Sequence, residues 1–508
     1  MNNKIMKNVA VIMGCSIAAK ILSYVWEATL AALFGASDQA DALYMTTSIF
    51  NILYPILDLG IWKVFLPIYK KKLVEGNEEM TTQIANKTAT LFFMLSFALV
   101  LFLIVFAKPL VYIVAPGFAI EKKLITIQYL RISAPTYLLM AFASIIGAML
   151  QSRERFLGSQ IREIGTHISK IVYIIICFRF FGIYAAVTAM IVGSIFRVLI
   201  QLPFINWKWR FKPDFHLRDK DIIPMLRGLP SVAVTAAIAH INGLIDKVVA
   251  SGAESGAIAC LNYGNRLMNV FSGMISSAIS TATYPTMIQY IAEKKDEKLR
   301  SIIHKTILAL AFFIIPISLF CILFSNELVK AAFQRGAFDA SATMLSASVF
   351  VGYCIGMLFS GVATIITNVF YGFGDTKITM YISITNIGLN ILFDLLFFKI
   401  WGISGLAVAT SVSAIICLVI RLVYLKRFIC LDYRLIIKEC LKICIIAIVA
   451  CCVSWIGFSK VIHINTLISL VLSLLISISI YFLLAKAFRI QTFSSILSTV
   501  EKKLKRKR

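Results

Sequence analysis

The chain has 508 residues, 59% hydrophobic and only 15% charged, with a mean hydropathy of +0.87. A soluble domain of this length needs a polar surface that such a composition cannot supply, so lipid is the solvent for most of the molecule. The formal charge of +25 would suggest nucleic acid in a soluble protein. Here the basic residues sit in alternate loops between apolar runs, which argues against a nucleic-acid partner.

The first apolar run, residues 8–34, is long enough to span and lacks the short h-region and cleavage site of a signal peptide. Further runs at 42–68, 84–107, 125–150, 159–180, 184–204, 222–250, 258–285, 303–325, 342–369, 378–398, 403–425, 438–458 and 464–487 complete an all-α polytopic fold of about fourteen transmembrane helices. One set of alternate loops is basic, with Lys70, Lys71 and Lys72, then Arg153, Arg155 and Arg162, then Lys208, Arg210 and Lys212. The other set is poor in Lys and Arg, and 35–41 and 251–257 contain neither. The positive-inside rule then predicts both termini in the cytoplasm of a multi-pass protein of the cell membrane. Lys4, Lys7 and the tail EKKLKRKR agree with that orientation and would sit against anionic lipid.

An internal repeat is visible. FFGIYAAVTA (180–189) resembles IWGISGLAVAT (400–410), and FGASDQADALY (34–44) falls opposite SGAESGAIACLNY (251–263), at an offset of about 220 residues. Because the offset spans six helices, the two halves share one orientation, as in transporters built from parallel repeats. The expected organisation is an N-terminal lobe at 1–215, a C-terminal lobe at 216–430, an additional helix pair at 431–490 and a basic tail at 491–508.

Ionisable side chains at bilayer depth cost about 2.5–3.5 kcal/mol on insertion scales and normally face water or a partner. Lys20 and Glu27 lie seven residues apart on helix 1, close to one face. Asp41 opens helix 2, which also carries Asp58 and Lys63; helix 7 has His240, Asp246 and Lys247, and helix 8 has Arg266. Lys63 either snorkels to the interface or lines a cavity, and Asp246 with Lys247 is either solvated at a helix end or functional. His240 reads first as a packed histidine. Lys170, Arg197, Asp394 and Arg421 read as structural pairs or interfacial anchors. A cavity lined by Lys and Arg suits a phosphate-bearing head group, with carboxylates available to a coupling proton or sodium ion. The eleven cysteines show no disulfide framework, and those in apolar runs read as small hydrophobes; no metal site is expected.

Several segments together resemble the MurJ/MviN lipid II flippases of the MOP exporter superfamily. These are AKILSYVWEATLAALFGASDQADALY (19–44), LNYGNRLMN (261–269), QRGAF (334–338), FYGFGDTKI (370–378) and GISGLAVATS (402–411). The resemblance implies a two-lobe flippase that moves undecaprenyl-pyrophosphate-linked peptidoglycan precursor outward by alternating access. It implies no cofactor, with driving force from membrane potential, H+ or Na+, and with membrane lipids and cell-wall or polysaccharide synthesis enzymes as partners. Carried over by position, Lys20 takes a cationic site of the family, Glu27 the acidic one, Asp41 the aspartate of A-D-A-F, and Arg266 the helix 8 arginine.

Two departures stand out. Trp26 replaces the family's second helix 1 arginine, and in ILYPILDLG (52–60) Tyr54 and Pro55 replace two further basic residues. Trp26 and Tyr54 then read as substrate-facing aromatics, or Trp26 as an ordinary apolar core residue. The competing functions are a flippase for another lipid-linked glycan, such as a capsule, exopolysaccharide or teichuronic unit, and a cation-coupled multidrug exporter. A membrane enzyme would need a large outer domain or an acid/base constellation, and neither is present in the sequence.

Overall fold

The computed structural model describes residues 2–205, 207, 209–216, 222–461, 466–490 and 492–493, which form helices and no strand. The chain forms two compact units, Met1–Ala259 and Cys260–Arg508.

In the first unit, α1 (Asn2–Phe34) is followed by α2 (Asp38–Gly60), which runs through a π-helical turn, Ile61–Phe65, into α3 (Leu66–Val74). Then come α4 (Glu78–Val114), α5 (Ile120–Ser133), α6 (Thr136–Ser152), α7 (Phe156–Phe181), α8 (Tyr184–Leu199) and α9 (Ile222–Ala250). Leu57, Ile61, Phe65 and Tyr69 recur every fourth residue, so they form one stripe along α2 and α3. That stripe packs on Ile84 and Phe92 of α4 and on Ile145 and Met149 of α6. The opposite side of α4 exposes Phe93, Phe97, Phe102, Val105 and Phe106. A helix apolar on its inner and its outer face is solvated by lipid.

The basic loops of this unit converge at one end. Lys70 donates to the Ser152 carbonyl (2.6 Å), Arg153 grips Glu78 through both Nη atoms (3.0 and 2.6 Å), and Arg155 donates to the Phe204 carbonyl (2.7 Å). The loops at 115–119 and 251–256 meet at the other end, where Gly117 N–H donates to Ser251 Oγ at 3.1 Å. The alternation read from loop charge is thus an alternation in space.

α10 (Ala257–Ala292) begins in the first unit and continues into the second. There follow α11 (Asp296–Leu323), α12 (Ser325–Phe333), α13 (Ala340–Gly372), α14 (Thr376–Trp401), α15 (Ile403–Leu425), α16 (Tyr433–Val461) and α17 (Thr466–Ala487). α13 and α15 approach closely because Gly352 and Gly356 lack side chains. A Cβ at Gly356 would lie 2.6 Å from Ser411 Oγ, and that hydroxyl donates to the Gly352 carbonyl at 2.6 Å. The final pair packs on α11: Phe312 and Ile315 meet Ile443, Ala447 and Tyr481, and Tyr481 donates to the Phe312 carbonyl at 2.8 Å.

Among the described residues all fourteen apolar runs are helical, but they are not equally apolar. Among the described residues twelve spans are long and apolar enough to cross a membrane, and α9, bent by 46° between Ile238 and His240, makes a thirteenth. α10 falls outside that set because Asn265, Asn269 and a series of Ser and Thr residues dilute its apolar run. The expected count of about fourteen therefore resolves into twelve or thirteen by hydropathy, with α10 a polar member.

Candidate functional site

One face of α2 organises the first unit. Asp41, Tyr44 and Ser48 lie three and four residues apart, so they stack along that face, and each takes a partner from a different helix. Asp41 is 1% exposed; its Oδ2 accepts from Lys122 Nζ of α5 at 2.6 Å and from Gly256 N–H at 2.9 Å, and its Oδ1 accepts from Ala259 N–H at 2.8 Å. Asp38 holds the same lysine at 2.8 Å. Gly256 is required here: its φ is +82°, and a Cβ would lie 2.5 Å from the Ala36 carbonyl oxygen. One turn on, Tyr44 Oη donates to Glu27 Oε2 of α1 at 2.8 Å. A further turn on, Lys247 of α9 donates to Ser48 Oγ at 2.6 Å. Glu27 and Asp41, expected to serve one site, are thus brought onto one polar row. Lys247 joins them, and the solvated reading of Asp246 and Lys247 does not hold, since Asp246 is only 5% exposed.

Tyr54 belongs to a second network, nearer the basic end. Its hydroxyl donates to Asp58 Oδ1 (2.9 Å) and lies 3.0 Å from Ser144 Oγ. The same Asp58 oxygen accepts from Ser144 Oγ and from Trp62 Nε1 at 3.1 Å. Arg162 of α7 stacks over the Trp62 ring at 4.9 Å, and Arg197 of α8 holds Glu163 through both Nη atoms. Two carboxylates and two guanidiniums balance here, which is how charge persists at bilayer depth. Arg162, read from sequence as a loop cation, is buried in this network. Lys63 lies in the π-helical turn that follows and is exposed.

Trp26 is neither lipid-facing nor open to a ligand. It is 6% exposed, and Lys170 of α7 places its Nζ 4.2 Å above the indole ring. Lys20, two turns earlier on α1, is exposed; His240 on α9 is also exposed. In the second unit Arg266 is half-buried on α10. Among the described residues Lys20, Lys63 and Arg266 have no hydrogen-bonded or ionic side-chain partner. Lys4, Lys7 and the basic tail fall on side chains outside those described. Asp394 is fully buried on α14, where Asn390 Nδ2 contacts its Oδ1 at 3.3 Å and Thr410 Oγ1 at 3.5 Å.

The model of the family described as lipid II flippase MurJ matches residues 30–478. The chain belongs to the MurJ family. Relatives described as probable lipid II flippase MurJ include those of Buchnera aphidicola and Rickettsia prowazekii. Both are 25% identical, over 402 and 405 residues; each match covers 78% of this chain and 78% or 79% of the relative. A solved lipid II flippase MurJ in an inward closed conformation superposes with a TM-score of 0.81 at 20% identity, covering 94% of this chain and 98% of that one. An inward-facing multidrug resistance MATE transporter of the MOP superfamily gives 0.67 at 14% identity, over 80% and 94%. The fold is therefore that of MurJ and MATE-type transporters, and the family is one of transporters rather than enzymes.

The two networks differ in the residues they gather. The α2 row gathers family-motif positions Glu27 and Asp41. The Asp58 network includes Tyr54, which stands where the family resemblance expects a basic residue. Lys122 escaped sequence reasoning because it lies 81 residues from Asp41. No local spacing connects the two.

Proposed function

We propose that this chain moves an undecaprenyl-pyrophosphate-linked saccharide, lipid II in the first instance, from the cytoplasmic to the outer leaflet of the bacterial cell membrane. The observation that carries the reading is the MurJ family match over residues 30–478. Alternating access of the repeat-related lobes, 1–215 and 216–430, with both termini in the cytoplasm, is the mechanism suited to a parallel repeat. Arg266 is a cation for the pyrophosphate: it has no hydrogen-bonded or ionic partner among the described residues, and a diphosphate offers the charge-assisted bonds it lacks. Lys20 and Lys63 are cations of the same kind in the first unit. Glu27 and Asp41 are the groups through which cycling is coupled to membrane potential, H+ or Na+. Cell-wall synthesis enzymes are the partners that supply and consume the lipid.

The second reading, a flippase for another lipid-linked glycan, is favoured by one observation. Trp26 and Tyr54, at positions the family fills with arginine, are tied to Lys170 and Asp58. The diphosphate then meets fewer cations. Proteoliposomes holding the purified chain and labelled lipid II test the first reading. Transfer of lipid II between leaflets by wild type and its loss in Arg266→Ala support it, and transfer only of a different undecaprenyl-pyrophosphate glycan moves the assignment to the second.

A further inference from the structure

The second unit contains a cavity of about 290 Å³ between α10, α13 and α15. Asn265, Asn269, Ser272 and Ser276 line it from α10, Ser360 and Thr364 from α13, and Thr410 from α15. Asn269, Ser360 and Thr364 are exposed, so the cavity is open to entry. Among the described residues no Lys, Arg, Asp, Glu or His lines it. Its volume lies just under the roughly 300 Å³ at which ligand pockets begin, so it suits a small group rather than a whole lipid-linked substrate.

Ser272, Thr364, Thr410 and Ser411 donate to helix carbonyls, but part of the polar lining is not consumed by the protein. Asn269 Nδ2 donates to Asn265 Oδ1 at 2.8 Å, which leaves Asn269 Oδ1 and Asn265 Nδ2 without protein partners among the described residues. The hydroxyls of Ser276 and Ser360 likewise bond to no described residue. The wall therefore presents both donors and acceptors, all neutral. A phosphate or carboxylate would enter with no cation to meet it, and an acyl chain would leave these groups desolvated and unpaired. A ligand whose every hydroxyl both donates and accepts matches the wall.

We infer that this cavity binds the uncharged sugar of the lipid-linked substrate, as a site distinct from the cations that hold its diphosphate. The inference rests on the function proposed above. Arg266 neighbours Asn265 on α10, so one helix carries a cation for the diphosphate and amides for the adjoining sugar.

The test measures affinity of the full chain in nanodiscs for two lipids: undecaprenyl pyrophosphate, and the same lipid bearing an N-acetylated disaccharide. Wild type is expected to bind the glycosylated lipid about tenfold more tightly, the yield of two or so neutral hydrogen bonds. The double variant Ser276→Ala/Ser360→Ala should lose that preference while keeping its affinity for the bare lipid. Gly273→Leu should do the same by filling the cavity, since a Cβ at Gly273 meets nothing within 4 Å and the helix has room for it. Equal wild-type affinity for both lipids, or variants that retain the preference, would overturn the sugar site alone. Binding of neither lipid by wild type would overturn the proposed substrate class, and the sugar site with it.

Discussion

Lys122 on α5 reaches Asp41 on α2 at 2.6 Å, and two backbone N–H groups, of Gly256 and Ala259, complete the shell of that carboxylate. A carboxylate this buried is retained only while its counter-charge is in place. Lys122→Met should therefore destabilise the protein by about 3–5 kcal/mol, the usual result of stranding one member of a buried pair. Adding Asp41→Asn should recover part of the loss, because the stranded charge is gone. Thermal unfolding in detergent measures both. A Lys122→Met protein as stable as wild type would show that the pair is not needed for the fold.

Arg266 predicts the opposite partition. With no side-chain partner among the described residues, it should be removable at little structural cost, within about 0.5 kcal/mol. Transport should nonetheless be lost in Arg266→Ala and only partly kept in Arg266→Lys, since the planar fork is replaced by a point charge. Parallel melting and flipping measurements separate the two effects. A strongly destabilised Arg266→Ala would make the arginine a structural residue.

Trp26→Arg, which restores the family's residue, should harm this chain. The new guanidinium would displace a ring that Lys170 covers at 4.2 Å, replacing a cation–π contact with like charges in a buried site. Trp26→Arg together with Lys170→Leu should restore insertion. Expression and monodispersity report the outcome, and a stable single variant would contradict the packing described.

Tyr54→Phe deletes one of three donors to Asp58 Oδ1, the others being Ser144 and Trp62. The expected cost is about 1–3 kcal/mol, the penalty for an under-satisfied buried polar group. Tyr54→Arg should cost more, because the cluster already holds Arg162 and Arg197 against only two carboxylates. A melting temperature unchanged in Tyr54→Phe would place the hydroxyl outside the network.

The membrane fold was legible because its cause is one-dimensional: each run must be apolar over a bilayer's depth, and loop charge alternates with it. α10 shows the limit of that logic. Its Asn and Ser residues make it less apolar than the other spans, and the sequence ranked it no differently from them. Glu27 and Asp41 could be picked out in the sequence as ionisable residues at bilayer depth, but their partners could not. Lys122, Lys247 and Ser144 reach them or Asp58 across separate helices, through packing that no periodicity encodes. Trp26 was ambiguous for the same reason, since its meaning depends on Lys170, 144 residues later in the chain.

The proposed function is transport of lipid II across the cell membrane. The most direct measurement is growth of a bacterium depleted of its own lipid II flippase and supplied with this chain. Growth with the wild-type chain and lysis with Arg266→Ala, both inserted at equal levels, is the predicted result. Lysis with the wild-type chain, its insertion verified, would overturn the lipid II assignment and leave another lipid-linked glycan as the substrate.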